Sequence, residues 1–399
     1  MLNKTMQKLG EERSVIRELY EYGNARKAQI GEGAVYDFSI GNPSVPAPKE
    51  VSEEIVRLVK ETPAEVLHGY TSAAGLPDVR AAVAKYITDR FGAPMSASLV
   101  YMTCGAAASL TVSLTALCEK GDEFVVISPY FPEYRVFVEG AGGKLVEAKA
   151  DARFHLDMDA LDRAIGKRTK AVIVNSPNNP TGAVYGEEEL KALAALLTKK
   201  SAEKGAPIFL IADEPYRELV YDTAVPYPAL YYKDTLVCYS FSKSLSLAGE
   251  RIGYIAVSPE CANAEAVYAA VCGAGRSLGF VCAPALFQRV CAKFLGRASD
   301  VGEYKKNRDI LCSALTEMGY ECAPPEGAFY LFLKALEPDE KKFCERAKKY
   351  ELLLVPSDSF GCGGYVRISY CVSRSVIEGS LPAFRKLKAE YDNKPQRKS

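Results

Sequence analysis

The sequence predicts an α/β fold: a mostly parallel sheet between helices, with a smaller α+β unit beside it. Three observations carry this expectation. Short runs rich in β-branched and aromatic residues alternate with amphipathic helical stretches between Pro48 and about Ala283. Runs that are apolar on both faces belong to strands covered on both sides. Each run also ends in a polar cluster, and open sheets of this kind bind ligands at the carboxyl ends of their strands. Beyond residue 284 the pattern changes to one long helical stretch followed by short strands. A chain of 399 residues is long enough for two cores.

Taken in order, Ser14 caps a helical stretch that begins Val15-Ile16-Arg17. A strand-like Val35 to Ile40 follows. The run Gly41-Asn42-Pro43-Ser44-Val45-Pro46-Ala47-Pro48 must then be irregular. The expected organisation is an N-terminal element (1–47) belonging to the smaller unit, a large unit (48–283) and a C-terminal part of the smaller unit (284–399). In the large unit, strands are expected at 124–127, 171–174, 208–211 and 236–239, and a helix at Val79 to Phe91. In the last unit a helix is expected around 297–318. Strands are expected near 327–334, 351–355 and 365–370, then a final helix and a frayed tail, 393–399.

Composition narrows the function classes. With 50 basic and 50 acidic residues the formal charge is zero, which disfavours a nucleic-acid binder relying on bulk charge. No apolar run approaches membrane-spanning length, and residues 1–10 are polar rather than signal-like. The twelve cysteines form no CxxC pair and there are two histidines, so neither a zinc site nor a histidine-based triad is expected. Reduced cysteines point to a cytoplasmic protein.

The polar clusters carry the chemistry. Lys243, in Ser240-Phe241-Ser242-Lys243, follows the apolar run 235–239, where an ammonium is costly to desolvate. Near other cations its amine loses its proton easily and becomes a nucleophile toward an aldehyde. Ser240, Ser242 and Arg251 suit a phosphate beside it. Gly105-Ala106-Ala107 opens a helix whose N–H groups and dipole favour an anion. Phe131, with Tyr130 second, offers a ring to stack on a planar group. Asn175-Ser176-Pro177-Asn178-Asn179-Pro180-Thr181-Gly182, with two prolines and three asparagines, forces a defined loop that aims an amide at a ligand. Asp213, at the end of a buried run, needs a cationic partner, and Tyr216 lies three residues on. Arg367, in Tyr365-Val366-Arg367-Ile368-Ser369, has the fork that matches a carboxylate. Read alone, Asp213 is equally a cap or ion pair, Arg367 a salt bridge between units, and Tyr70 a packing residue.

As an ordered set, these motifs resemble the class I pyridoxal-phosphate-dependent aminotransferases of fold type I, in the branch similar to bacterial aspartate aminotransferases. The resemblance runs from Ile40-Gly41-Asn42-Pro43 to Arg367 and is most specific at Asn178 to Gly182, Asp213-Glu214-Pro215-Tyr216 and Ser240 to Lys243. It implies pyridoxal 5'-phosphate as cofactor, covalently held by Lys243. Asp213 would face the pyridine nitrogen, while Asn179 and Tyr216 would bond the ring oxygen. Phe131 would stack on the ring, and Gly105, Ala106, Ala107, Ser240, Ser242 and Arg251 would grip the phosphate. Tyr70 would reach that phosphate from a neighbouring subunit, making a homodimer with shared active sites. Arg367, with Gly41 and Asn179 beside it, would hold the substrate's α-carboxylate. The implied reaction is ping-pong transfer of an amino group between an L-amino acid and a 2-keto acid, with glutamate and 2-oxoglutarate as one pair. Elimination or decarboxylation on the same scaffold, and a cofactor-binding regulatory module, are the competing readings. The sequence departs from close relatives at Cys282, where asparagine is expected. Arg276 is the candidate for a second substrate cation, and the segment near Ile16 for a lid.

Overall fold

A computed structural model describes residues 2–12 and 14–393; the expected frayed tail, Asn393 apart, lies outside them. The sheet that organises the molecule has seven strands: β1 (Val100–Thr103), β2 (Glu123–Ser128), β3 (Lys144–Lys149), β4 (Thr169–Asn175), β5 (Phe209–Asp213), β6 (Thr235–Ser240) and β7 (Gly253–Val257). Their spatial order is β1-β7-β6-β5-β4-β2-β3. β7 runs antiparallel to both neighbours and every other pairing is parallel. The apolar runs read from the sequence fall inside β2, β4, β5 and β6, except that Ile208 stands one residue before β5. All residues of β5 and β6 are buried, so these strands alternate no face and could be recognised only by their continuous apolar character. One core packs Val125, Val172, Leu210 and Val237 on one side of the sheet, and another packs Val126, Ile173, Ile211 and Cys238 on the other.

The smaller unit is built from both ends of the chain. A three-stranded antiparallel sheet orders Val355–Pro356 (β9), Tyr365–Ser369 (β10) and Tyr330–Lys334 (β8), with β10 in the middle. The strand expected at 35–40 shrinks to Tyr36–Asp37, which pairs in parallel with Leu352–Leu353. The prolines and glycine that follow stop it from extending. Phe38 enters the core formed by Leu311, Phe329, Leu331, Ile368 and Phe384, which joins the N-terminal segment to the C-terminal unit. Ser14 caps helix Val15–Ile30 by accepting a hydrogen bond from the Arg17 N–H at 3.3 Å.

Val290, Cys291 and Phe294, in and just after helix Ala285–Lys293, belong to the core that contains Val51, Leu58 and Val83. The smaller unit's own long helix begins only at Val301. Among the described residues the twelve cysteines are all free, no helix is long and apolar enough to cross a membrane, and no cluster of ligands could hold a metal.

Candidate active site

The carboxyl ends of β4, β5 and β6 open onto a cavity of about 280 Å³ whose opposite wall is the smaller unit. Of the fourteen residues named as site candidates, Gly41, Ala106, Ala107, Phe131, Asn179, Asp213, Tyr216, Ser240, Ser242, Lys243, Arg251 and Arg367 line it. Gly105 and Tyr70 do not.

The strand ends are tied together before any ligand is present. Asn175, the last residue of β4, donates through Nδ2 to the Asp213 carbonyl at 2.9 Å. It accepts through Oδ1 from the Asn179 N–H at 2.7 Å. The turn after Asn179 is braced from the smaller unit, because the Gly182 carbonyl accepts from the N–H groups of Glu326 and Gly327. Gly182 has φ +75°, and a side chain there would run into Pro325, so this close approach requires glycine.

Asp213 is 4% exposed. Its Oδ2 accepts from the Tyr134 hydroxyl at 2.6 Å, while its Oδ1 is buried with no hydrogen-bond partner. Burial pushes its pKa up to about 7; the Tyr134 bond opposes that rise and neighbouring Glu214 adds to it. A carboxylate oxygen left unpaired in a cavity wall is the complement of a cationic N–H donor. The reading of Asp213 as a helix cap therefore fails.

Lys243 lies on the short helix Phe241–Ser244 that follows β6. Burial pulls its pKa down to about 8; Cys371 opposes that fall, and Arg367 and Arg251 each lower it by less than Cys371 raises it. Its Nζ donates to the Gly41 carbonyl at 2.5 Å and sits 5.5 Å from the centre of the Phe329 ring. A side chain at Gly41 would collide with the Tyr330 ring, so only glycine brings that carbonyl to the lysine.

Two guanidinium groups complete the charge pattern. Arg251 has φ +51° and donates to the Ala248 carbonyl at 2.8 Å and to Ser242 Oγ at 3.5 Å. A Cβ at Gly105 would lie 2.9 Å from its Nη2, so the glycine admits the arginine although it does not line the cavity itself. The Ser240 and Ser242 hydroxyls bond at 2.8 Å beside it, and Ala106 opens the helix Ala106–Leu117. The group gathers hydroxyls, a guanidinium and a helix N-terminus on one side of the cavity, which is the donor set for a phosphate.

Arg367, on the central strand of the smaller sheet, is 2% exposed. It donates through Nη2 to the Ser39 carbonyl at 2.6 Å and through Nη1 to Asn179 Oδ1 at 3.2 Å, and its buried Nε has no partner. Tyr330 and Phe360 lie under its guanidinium, at 4.7 and 5.2 Å. Among the described residues no carboxylate pairs with it, and burial lowers its pKa. The salt-bridge reading is excluded, and the guanidinium is left free to take an anion.

Phe131 meets Tyr134 edge-on at 5.7 Å, whereas Tyr130 is buried with its hydroxyl on Glu147 at 2.8 Å. This settles which of the two aromatics faces the cavity. Tyr70 is fully exposed, and within its own chain the structure does not bring it to the site. Arg276 is also exposed and absent from the cavity wall. Cys282 lines a surface hollow with Tyr70 and donates to the Thr71 carbonyl at 3.3 Å. Ile16 does line the cavity. Two residues of the site escaped sequence reasoning: Tyr134 and Tyr330, the latter bonded through its hydroxyl to that of Tyr216 at 2.9 Å. Asn175 opens the loop read from the sequence but has no assigned role of its own there, although it sits at a strand end, the signal that revealed Asp213. Tyr330 has no local signal.

The chain matches the family described as aminotransferase class I and II over residues 34–382. It is 31% identical to the aspartate aminotransferase of Thermotoga maritima, covering 92% of this chain and 95% of that one. It is likewise 31% identical to the aspartate/prephenate aminotransferase of Thermus thermophilus, covering 87% and 89%. Among solved structures, an amino transferase from Eubacterium rectale is 55% identical, with a TM-score of 0.96 over 99% of this chain and 100% of that one. An aspartate aminotransferase from Thermus thermophilus with maleate is 28% identical, with a TM-score of 0.84 over 97% and 99%.

Proposed function

Because this chain belongs to the class I and II aminotransferases, we propose that the cavity binds pyridoxal 5'-phosphate and moves an amino group from an L-amino acid to a 2-keto acid by a ping-pong route. The observation that carries the reading is the unpaired, buried Oδ1 of Asp213 in the same cavity as a buried lysine with a depressed pKa. A pyridine nitrogen, an aldehyde and a phosphate on one ring answer Asp213, Lys243 and the Arg251 group together. When bound, the cofactor supplies an aldehyde that takes up the amino group and a ring that withdraws electrons from the substrate's α-carbon.

The chain's residues do the rest. Asp213 Oδ1 would accept from the ring nitrogen, while Tyr134 holds the carboxylate through Oδ2. Asn179 and the Tyr216 hydroxyl would serve the ring oxygen, and Phe131 would cover one ring face. Gly105 makes room for Arg251, which would hold the phosphate with Ser240, Ser242 and the N–H groups at Ala106 and Ala107. Arg367 would hold the α-carboxylate against the Gly41 side of the cavity. Lys243 Nζ would be the base that takes the proton from the substrate's α-carbon and the acid that delivers it to the cofactor carbon bearing the amino group. Tyr70, exposed in one chain, would complete the phosphate site of a second copy in a homodimer, and the absence of disulfides suits a cytoplasmic enzyme.

The test is a half-reaction. Purified enzyme loaded with pyridoxal phosphate and given an amino acid alone should convert to the amine form of the cofactor and release one equivalent of the matching keto acid, without ammonia. Release of ammonia or carbon dioxide instead would sink transfer as the main reaction.

Arg367→Ala is expected to raise the amino-acid KM by about 100-fold or more, since a bidentate partner in a buried site is lost. Cofactor absorbance should stay unchanged. Titration of the half-reaction checks both, and a variant that loses the absorbance would place Arg367 on the cofactor instead.

A further inference from the structure

Arg367 can hold a carboxylate only if its fork is aimed. Two acceptors set that aim, one from each unit: Asn179 Oδ1 at 3.2 Å from Nη1 and the Ser39 carbonyl at 2.6 Å from Nη2. Asn179 belongs to the braced loop after β4. Ser39 lies just beyond the short strand Tyr36–Asp37. Backbone pairing carries this segment as far as Phe38, whose N–H donates to the Leu353 carbonyl and whose carbonyl accepts from the Ser369 N–H, both at 3.1 Å. At Ser39 a side chain takes over. Asp37 Oδ1 accepts from the Ser39 N–H at 3.1 Å and from its hydroxyl at 2.6 Å.

The other oxygen of that carboxylate is used as well. Oδ2 accepts from Lys27 Nζ at 2.7 Å, and Lys27 stands on helix Val15–Ile30. Asp37 is 9% exposed and Ser39 is fully buried. A buried carboxylate is costly unless a cation meets it, and charge-assisted bonds hold a partner more firmly than neutral ones. Gly23, on the same helix, is an independent sign that the helix is built around this carboxylate. A Cβ there would lie 2.8 Å from Asp37 Oδ2, and glycine is otherwise a poor residue for the middle of a helix. The result is one line of bonds, from Lys27 to Asp37 to Ser39 to Arg367, and the first three of these residues do not line the cavity.

We infer that Asp37, held by Lys27, is a positioning residue for substrate recognition: through Ser39 it aims the Arg367 guanidinium at the α-carboxylate. The inference rests on the aminotransferase reading and deepens it, adding two residues that act on the substrate without touching it. Without the Asp37 carboxylate the Ser39 backbone is free to turn, so Arg367 keeps its charge and loses its direction. The cost falls on binding of the amino acid. Asp213, Ser240, Ser242 and Arg251 lie on other elements and keep their geometry.

The test is a double-mutant cycle on the loaded enzyme, read as KM and maximal rate of the half-reaction. The donor is the fastest among alanine, aspartate, glutamate and phenylalanine. Asp37→Ala should raise KM by about 10-fold, within the range for residues coupled in one hydrogen-bond network. It should leave the maximal rate within about twofold, as expected when binding alone is lost. Asp37→Asn keeps the shape and an acceptor for Ser39, and should recover part of the loss. The deciding variant combines Asp37→Ala with Arg367→Ala. Its KM should equal that of Arg367→Ala alone, because Asp37 acts through the arginine. A residue that only holds the fold together would leave KM unmoved in the single variant or multiply the two losses in the double one. Either result overturns the inference and leaves amino-group transfer standing. If Asp37→Ala does not fold, Lys27→Met carries the same cycle, with a KM rise of about threefold. A wild-type enzyme that converts with none of the four donors removes the functional reading, and this inference with it.

Discussion

Lys243→Ala is expected to lower the transfer rate by about 10⁴-fold or more, because one substitution removes both the covalent anchor and the proton carrier. The variant should fold, since deleting a buried amine that donates only to the Gly41 carbonyl leaves no charge unpaired. Mixing it with pyridoxal phosphate should give the spectrum of the free aldehyde rather than that of a lysine-bound cofactor. The wild-type chain adds a pH signature. The lysine's pKa lies at about 8 before cofactor arrives, well below the usual ~10.4 of a lysine. Its neutral, reactive fraction therefore grows about tenfold per pH unit below 8 and levels off above it. Stopped-flow capture of the cofactor by stripped enzyme should follow that curve. Near wild-type turnover in Lys243→Ala would remove the mechanism's central residue.

The second large effect is at Asp213. Asp213→Ala should reduce kcat by about 10³-fold, since the ring nitrogen loses the anion that keeps it protonated in a buried site. Cofactor affinity should drop as well. The same residue predicts how stripped protein responds to pH. An unfolded aspartate titrates near ~3.9, whereas buried Asp213 titrates at about 7. Between those values the folded state binds the extra proton. Stability therefore falls as pH rises from about 4 to about 7. Glu218, raised to about 7 by burial, pulls in the same direction, so the difference from Asp213→Asn isolates the one group. Urea midpoints of stripped wild type at pH 5 and 7.5 should differ more than those of the variant. Loading the cofactor should shrink the wild-type difference, because a cationic partner keeps Asp213 ionised. If the variant's pH slope equals that of wild type, Asp213 is not the titrating group.

Much of this site was readable along the chain because its parts sit at strand ends. An apolar run followed at once by Asp213, or by Ser240 to Lys243, shows where burial stops and chemistry begins, and both features are local. The strand positions were legible for the same reason. The packing of helix Ala285–Lys293 was not: it lies against helices from residues 49–61 and 77–91, a contact its own composition does not reveal.

The linear order of residues determined the kind of fold and the family, and it put forward the lysine, the aspartate and the two arginines, because each is a polar group that a buried segment tolerates only for a purpose. Folding alone decided what those groups face. Tyr216 meets a tyrosine 114 positions away, Arg367 an asparagine 188 away, and Lys243 a carbonyl 202 away. Such pairings follow from how two packed units close on each other. They leave no periodic trace in sequence, since no short-range rule links residues that meet only across an interface.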